Sequence, residues 1–490
     1  MKAHAECMNR RQLLAALAAA PLLSRTATAG TISAPTPAAL AADISILRRA
    51  LMLHCGLYRY NTPGAMRARI DRLSDDFAAA PDLPTRYLLL SRFLASIRDG
   101  HTYANFFNQR RSIAAELFDR STRVPFHFRW LNGRMVITAH GGSLLPPGTI
   151  VERLNGVRDS EVLARLMPYT RTDGHNEAKR VSLLEVRGTE GFETFDVFHG
   201  LIYGRPPGGR HLVEARTPDG RRVQAELPVI SLAERRAQMV AKESSDGPIW
   251  TWTVRPDGVA LLDMPSWVLY NSKWDWQSWL SAKLDTLPSL KGLIIDLRGN
   301  EGGNDCGAPI LARLIETRLT RDAGERWVRF RTTPKDLDPY LDTWDESFRT
   351  LGVDATDLGN GYFRQTAVEG VDWIDPVSPQ ITRPVAALVG PVNSSATFQF
   401  AHLAKRSGRI RLFGEETGGN LKGTIGGGFF FVRLPASGLE FDLPLIGYVP
   451  SGARRDGGVE PDMMVRSSAA DIAVARDPVM AAAAEWISQA

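Results

Sequence analysis

Residues 292–303 read Gly-Leu-Ile-Ile-Asp-Leu-Arg-Gly-Asn-Glu-Gly-Gly, an aliphatic run that breaks into an arginine and ends on paired glycines. A short run of this kind is a buried strand of an α/β sheet, because strands covered on both faces carry no polar alternation. Glycines at its end let the main chain turn with φ > 0 and approach a ligand closely. Bare amides there can stabilise a developing negative charge, although an ordinary βα turn uses the same residues.

A second element of this kind follows some ninety residues on. Val385 to Val389 predicts another buried strand, about Ala396 to Lys405 a helix, and Ile410 to Phe413 a third strand that enters the loop Gly414-Glu415-Glu416-Thr417-Gly418-Gly419. Ala396, Phe400 and Leu403 share one helical face. Ser394 and Ser395 fall where the helix begins. A serine there serves as an N-cap, or as a nucleophile placed where free amides and the helix dipole favour an oxyanion.

In this order the motifs resemble those of the serine peptidases of the tail-specific (C-terminal processing) protease and tricorn-core superfamily. The matching residues are Asp296-Leu297-Arg298-Gly299-Asn300-Glu301-Gly302-Gly303, then Ser395-Ala396 with Ala401 in register, then residues 414–419, then a closing Gly458-Val459-Glu460-Pro461-Asp462. The resemblance implies an α/β, crotonase-like catalytic domain. It makes Ser395 rather than Ser394 the nucleophile, with the amides of Gly302, Gly303 and Ala396 as the oxyanion hole.

A serine hydroxyl needs a base within hydrogen-bond reach. The lysine-using branch of the superfamily carries its base where this chain has Asn420, with Lys422 two residues further on. Ser96-Ile97-Arg98-Asp99-Gly100-His101-Thr102 instead resembles the signature of the histidine-using, tricorn-like and retinoid-binding-protein-like branch. That makes His101 the expected general base, since an imidazole with an ordinary pKa of ~6.5 can take the serine proton and return it to the leaving group. The family's orienting glutamate falls on Arg455 here. Asp456, displaced by one residue, is the candidate third member, with Glu416 and Glu460 as alternatives. The implied activity is hydrolysis of peptide or protein substrates through an acyl-enzyme. Two other readings compete with it: a binding protein without turnover, since the fold is shared with retinoid-binding relatives, and an acyl-CoA enzyme, for which no adenine or phosphate site is visible.

The 490 residues allow several domains. A formal charge of +5 comes from arginines spread along the chain, with no basic tail or stripe, which argues against a nucleic-acid partner. The histidines lack His-x-x-x-His spacing and the cysteines lack Cys-x-x-Cys spacing, so neither a metal nor another cofactor is expected. Residues 1–29 have the pattern of a twin-arginine-like signal peptide: Arg10-Arg11, an apolar stretch from Leu13 to Leu23, and small residues at Ala27-Thr28-Ala29. That stretch is too short to span a bilayer. The expected product is a periplasmic or extracellular enzyme with no integral membrane span and no lipid anchor.

After the signal, residues 30–120 predict an N-terminal helical domain whose last turn delivers His101. Residues 124–235 predict a β-rich domain. Within it, Pro146 to Val157 looks like a PDZ hairpin with Thr149 in place of the motif's aspartate, and residues 159–187 read as a helical insertion or packing element. Residues 245–490 form the expected catalytic domain. Trp267, Trp274, Trp276 and Trp279 read as core and interface, and residues 336–375 as an insertion bordering the active site. Cys55 and Cys306 remain once the signal is removed, and whether they meet depends on an approach the sequence does not encode. The oligomeric state is left open.

Overall fold

The computed structural model describes residues 35–239, 247–270, 272–321, 324–366 and 373–490. The expected signal segment, 1–29, lies outside them. The described residues open with four helices: α1 (Pro37–Leu51), α2 (Pro63–Ala79), α3 (Leu83–Ala95) and α4 (Arg111–Phe118). Their entries are set locally. Thr36, Thr62 and Asp82 cap the first three by accepting an amide three residues on, and a proline follows each cap within the first turn.

Six antiparallel strands follow: β1 (His127–Leu131), β2 (Arg134–Ala139), β3 (Ile150–Leu154), β4 (Val157–Arg158), β5 (Arg210–Arg216) and β6 (Arg222–Pro228). They run in the order β1-β2-β3-β5-β6, with β4 returning onto β3. The hairpin expected at 146–157 is the β3–β4 turn, closed by Asn155 and Gly156 at positive φ. The helical stretch at 159–187 is present as α5 (Asp159–Leu166) and α6 (Glu177–Leu183).

The second half builds two further six-stranded sheets and a two-stranded one (β10 with β15) from β7 (Thr251–Val254), β8 (Val259–Asp263), β9 (Gly292–Asp296), β10 (Leu319–Thr320), β11 (Glu325–Val328), β12 (Leu341–Asp342), β13 (Thr356–Gly359), β14 (Tyr362–Arg364), β15 (Trp373–Ile374), β16 (Val385–Val389), β17 (Ile410–Gly414), β18 (Ile425–Arg433), β19 (Glu440–Val449) and β20 (Met463–Met464). One sheet has the order β20-β17-β16-β9-β8-β7 and is parallel except for β7. Its aliphatic strands are covered on both faces. Leu293 and Ile295 pack on the side of α7 (Ser395–Ser407), whereas Ile294 packs with Val479, Ala483 and Ile487 of α8 (Pro478–Gln489). This two-sided burial is why the strand sequence showed no alternation.

The other sheet is antiparallel, in the order β12-β18-β19-β11-β14-β13. It draws three of its strands, β12 to β14, from the 336–375 segment. Phe430, Phe441 and Leu443 of its β18–β19 hairpin share one core with α1–α4 and the first sheet. That shared core holds the loop after α3 against β18. The tryptophans behave as core residues: Trp267 is fully buried on Phe400, and Trp250 packs edge-on against Trp274, Trp276 and Trp279. Cys55 and Cys306 are both buried free thiols. No described helix is long and apolar enough to cross a membrane.

Candidate active site

Strands β9 and β16 are parallel neighbours, with Leu293 opposite Val385, so the loops that follow them leave the sheet at the same end. In open α/β sheets that end is where ligands bind. The two loops are stitched together by side chains. Asn393 Nδ2 donates to the carbonyls of Leu297 and Asn300, and Thr397 Oγ1 donates to the Asn300 carbonyl at 3.0 Å. Asn300 is itself fully buried, and its Nδ2 donates to the Met264 carbonyl at 2.7 Å.

Ser395 is the first residue of α7 and has φ +52°, one of few non-glycine residues in the left-handed region. A serine there is strained by roughly 1–2 kcal/mol. Strain held at a helix start, with no turn requiring it, is the kind found at functional sites. Ser394 occupies the N-cap position but makes no capping bond; its Oγ donates instead to the Glu301 carbonyl at 3.3 Å.

Gly302 faces this serine. A Cβ on Gly302 would lie 2.8 Å from the Ser394 carbonyl oxygen and 3.0 Å from both the Ala396 nitrogen and Ser395 Cβ. With φ +112° as well, the position admits only glycine. The Gly302 amide donates to Asn300 Oδ1 at 2.9 Å. Gly303 (φ +135°) backs onto Trp267, with which it forms a β-bridge. The structure thus brings Gly302, Ser395 and Ala396 into contact. The amides of Gly303 and Ala396 have no hydrogen-bond partner among the described residues.

His101 lies in the loop after α3, half-buried, with its ring edge-on to Phe429 of β18 and near Gly426. Its Nδ1 is buried without a hydrogen-bond partner among the described residues. The loop is pinned from several sides. Asp442 of β19 donates its amide to the Tyr103 carbonyl, and the Gly100 amide donates to Asp173 Oδ1 at 3.1 Å. Arg171 then joins the histidine loop to the glycine loop: Nη1 donates to the Gly100 carbonyl and Nη2 to Glu301 Oε2, each at 2.9 Å. Burial opposes the charge of Glu301, but Arg171 and then Lys179 hold its carboxyl below the ordinary carboxylate value.

Asp456 sits elsewhere. Its oxygens accept from His175 Nδ1 at 2.8 Å, Asn420 Nδ2 at 2.7 Å and Tyr60 Oη at 3.0 Å, with no bond to His101. Burial works against its charge, and these donors hold it well below the usual carboxylate range. Glu416 accepts the Gly458 amide and pairs with Arg455, and Glu460 also pairs with Arg455. Asn420, at the lysine position of the other branch, is buried in the Asp456 cluster. Lys422 is half-exposed, 3.9 Å from Asp456. Asp296 and Arg298 form an ion pair completed by Asp477 and play a structural part.

Sequence reasoning passed over Arg171, Asp173, Lys179 and Glu301. They come together only because α6 and the segment before it pack between the two loops. Lys179 is fully buried and pairs with Asp173 at 2.6 Å. In the sequence it was one charge on a short polar helix.

A serine at a strained helix start thus faces a glycine loop at the end of a parallel α/β sheet. Residues 258–465 match the model of peptidase family S41. That match, over under half of the chain, supports a serine-type peptidase of this family. Among solved structures it is similar in fold to mature CPAF complexed with lactacystin, at TM-score 0.60 and 17% identity over 92% of this chain and 97% of that one. It is likewise similar to mature CPAF alone, at TM-score 0.56 and 17% identity over 92% and 96%. A putative peptidase from Parabacteroides merdae aligns over 92% of this chain and 96% of that one, at 14% identity and TM-score 0.45. No curated protein matches the chain.

Proposed function

We propose that this chain is an exported peptidase that cleaves peptide bonds by acyl-enzyme chemistry. Ser395 attacks the carbonyl, His101 takes its proton and returns it to the leaving amine, and main-chain amides hold the tetrahedral oxyanion. The observation that carries this reading is Ser395 itself: a left-handed serine at a helix start, pressed against Gly302. Of the expected oxyanion amides, those of Gly303 and Ala396 have no hydrogen-bond partner among the described residues, while Gly302 serves by giving close approach. Asp456 keeps the Asn420–His175 corner of the site in place.

The wider organisation is part of the same proposal. Residues 30–120 form a helical domain, 124–235 a PDZ-like domain and 245–490 a crotonase-like catalytic domain, with 1–29 removed on export to the periplasm or cell exterior. The antiparallel β1–β6 sheet and the two-sided parallel sheet are consistent with that division. Lactacystin bound to CPAF is a further reason to probe the serine with acylating reagents.

The test is hydrolysis of an unfolded protein, together with labelling by a fluorophosphonate, for wild type, Ser395→Ala and His101→Ala. The reading requires labelling to vanish in Ser395→Ala and turnover to fall by about 10²-fold or more in His101→Ala. Equal activity in all three chains would refute it.

A further inference from the structure

Five charged side chains gather around the loop that carries His101, and their pairing is uneven. Asp173 is matched by Lys179 at 2.6 Å and Glu301 by Arg171 at 2.9 Å. Asp99, the fifth, is buried, and among the described residues no lysine or arginine pairs with it. Its Oδ2 receives the Thr102 hydroxyl and faces His54 Nε2 at 3.2 Å. His54 accepts the Gly56 amide at Nδ1, which fixes its proton on Nε2 and makes it a donor to Asp99 and Thr102. Asp99 Oδ1 has no hydrogen-bond partner among the described residues.

A ring nitrogen of His101 and carboxylate oxygens of Asp99 and Asp173 lie within 4.8 Å of one another. Among the described residues Asp99 Oδ1 and His101 Nδ1 are buried with no hydrogen-bond partner, as is Glu301 Oε1 on the neighbouring loop. A metal is a poor explanation for the cluster, because Asp173 already takes the Lys179 ammonium and the Gly100 amide. Burying an uncompensated carboxylate is costly unless a cation forms beside it. An imidazole that gains a proton during turnover is such a cation.

Taking the Ser395–His101 reading as its basis, we infer that Asp99 is the positioning carboxylate of His101, orienting the ring through Nδ1–H and stabilising the imidazolium, so that Nε2 faces the serine. The role that spacing assigned to Asp456 thereby passes to the aspartate two residues before the histidine. Burial opposes the charge on Asp99, but the His54 hydrogen bond, with His101 and Thr102 beside it, holds the carboxyl below the ordinary carboxylate value. The other groups facing His101 do not supply this charge. Arg171, Glu301, Asp173 and Lys179 are paired as above, Tyr103 lies under Arg171, and β18 presents Gly426 and Phe429, which do not ionise.

The experiment compares Asp99→Asn and Asp456→Asn with wild type, measuring kcat, KM and the pH dependence of kcat/KM. Removing an anion beside the imidazole disfavours its protonated form, so the acid limb of the profile should move to lower pH in Asp99→Asn. With that shift, kcat should fall by about 10²-fold or more while KM changes little. A folded Asp99→Asn chain with the wild-type profile would overturn the inference, as would the same shift appearing in Asp456→Asn instead. Loss of turnover in Ser395→Ala and His101→Ala alongside an unaffected Asp99→Asn would leave the serine–histidine reading standing and remove only this one. If Asp99→Asn does not fold, 15N-histidine-labelled wild type decides. A downfield Nδ1–H proton that disappears in His101→Ala supports the inference, and its absence from wild type overturns it.

Discussion

Arg171 and Glu301 form a 2.9 Å ion pair, and through it the loop that carries His101 is fastened to the loop that faces Ser395. The same guanidinium holds the Gly100 carbonyl and lies 4.5 Å from the centre of the Tyr103 ring. A planar fork suits this double task, and a lysine cannot reproduce it. The two loops come from segments about two hundred residues apart, so their relative placement depends on such cross-links.

Arg171→Lys should therefore keep the fold but lower kcat by about 10-fold or more, because sub-ångström misplacement of a base is costly. Arg171→Met should lower it further and also destabilise the chain by about 1 kcal/mol, since it leaves the partly exposed Glu301 carboxylate without its partner. Steady-state kinetics alongside thermal melts separate the two effects. A Met variant with wild-type kcat would mean that the tether does not position the base.

What was legible in the sequence follows from what is local. The strand 292–296, the glycines after it and the serine at the start of α7 are each set by residues within a few positions, and each lies where the pattern put it. The contact between Gly302 and Ser395 was implied by motif order alone. The charged network was not legible. Asp99, Arg171, Lys179 and Glu301 are scattered over two hundred residues, and a lysine on a seven-residue polar helix looks solvated until its burial is known. Asp456 shows the converse. Its spacing from the closing motif suggested an orienting acid, but its neighbours are decided by where His175 and Tyr60 arrive from other segments.

The strain at Ser395 predicts an unusual order of stabilities. Ser395→Ala and Ser395→Gly both remove the hydroxyl and should both be inactive. Only glycine accepts φ +52° without penalty. Ser395→Gly should melt above Ser395→Ala by the equivalent of about 1 kcal/mol. Ser394→Ala loses only a 3.3 Å bond to the Glu301 carbonyl and should retain activity within about 3-fold. If Ser394→Ala were the inactive chain, the nucleophile would be one residue earlier.

Lys422 gives the test between the two possible bases. A lysine acts as a base when burial makes its neutral form accessible, but this one is half-exposed and lies 3.9 Å from a carboxylate that favours its charge. Lys422→Ala should leave kcat/KM within about 2-fold of wild type across pH 6–9. A loss comparable to that of His101→Ala would return the lysine dyad.

Asp442 supplies a prediction about pH and stability. It is buried beneath the site and accepts from Asn105 and Asn108; burial, outweighing those bonds and the Arg171 charge, pushes its carboxyl up to about 7. A group whose folded value is raised binds its proton more tightly in the native state. Its contribution to stability is complete below the unfolded value of ~4 and is lost as pH rises through about 7. The wild-type chain should therefore lose stability between pH 4.5 and 7.5 relative to Asp442→Asn, which cannot ionise. Melting temperatures of the two proteins across that window check the sign. The gap should shift steadily in favour of the asparagine variant as pH rises, and parallel curves would mean that Asp442 is ionised in the folded chain throughout.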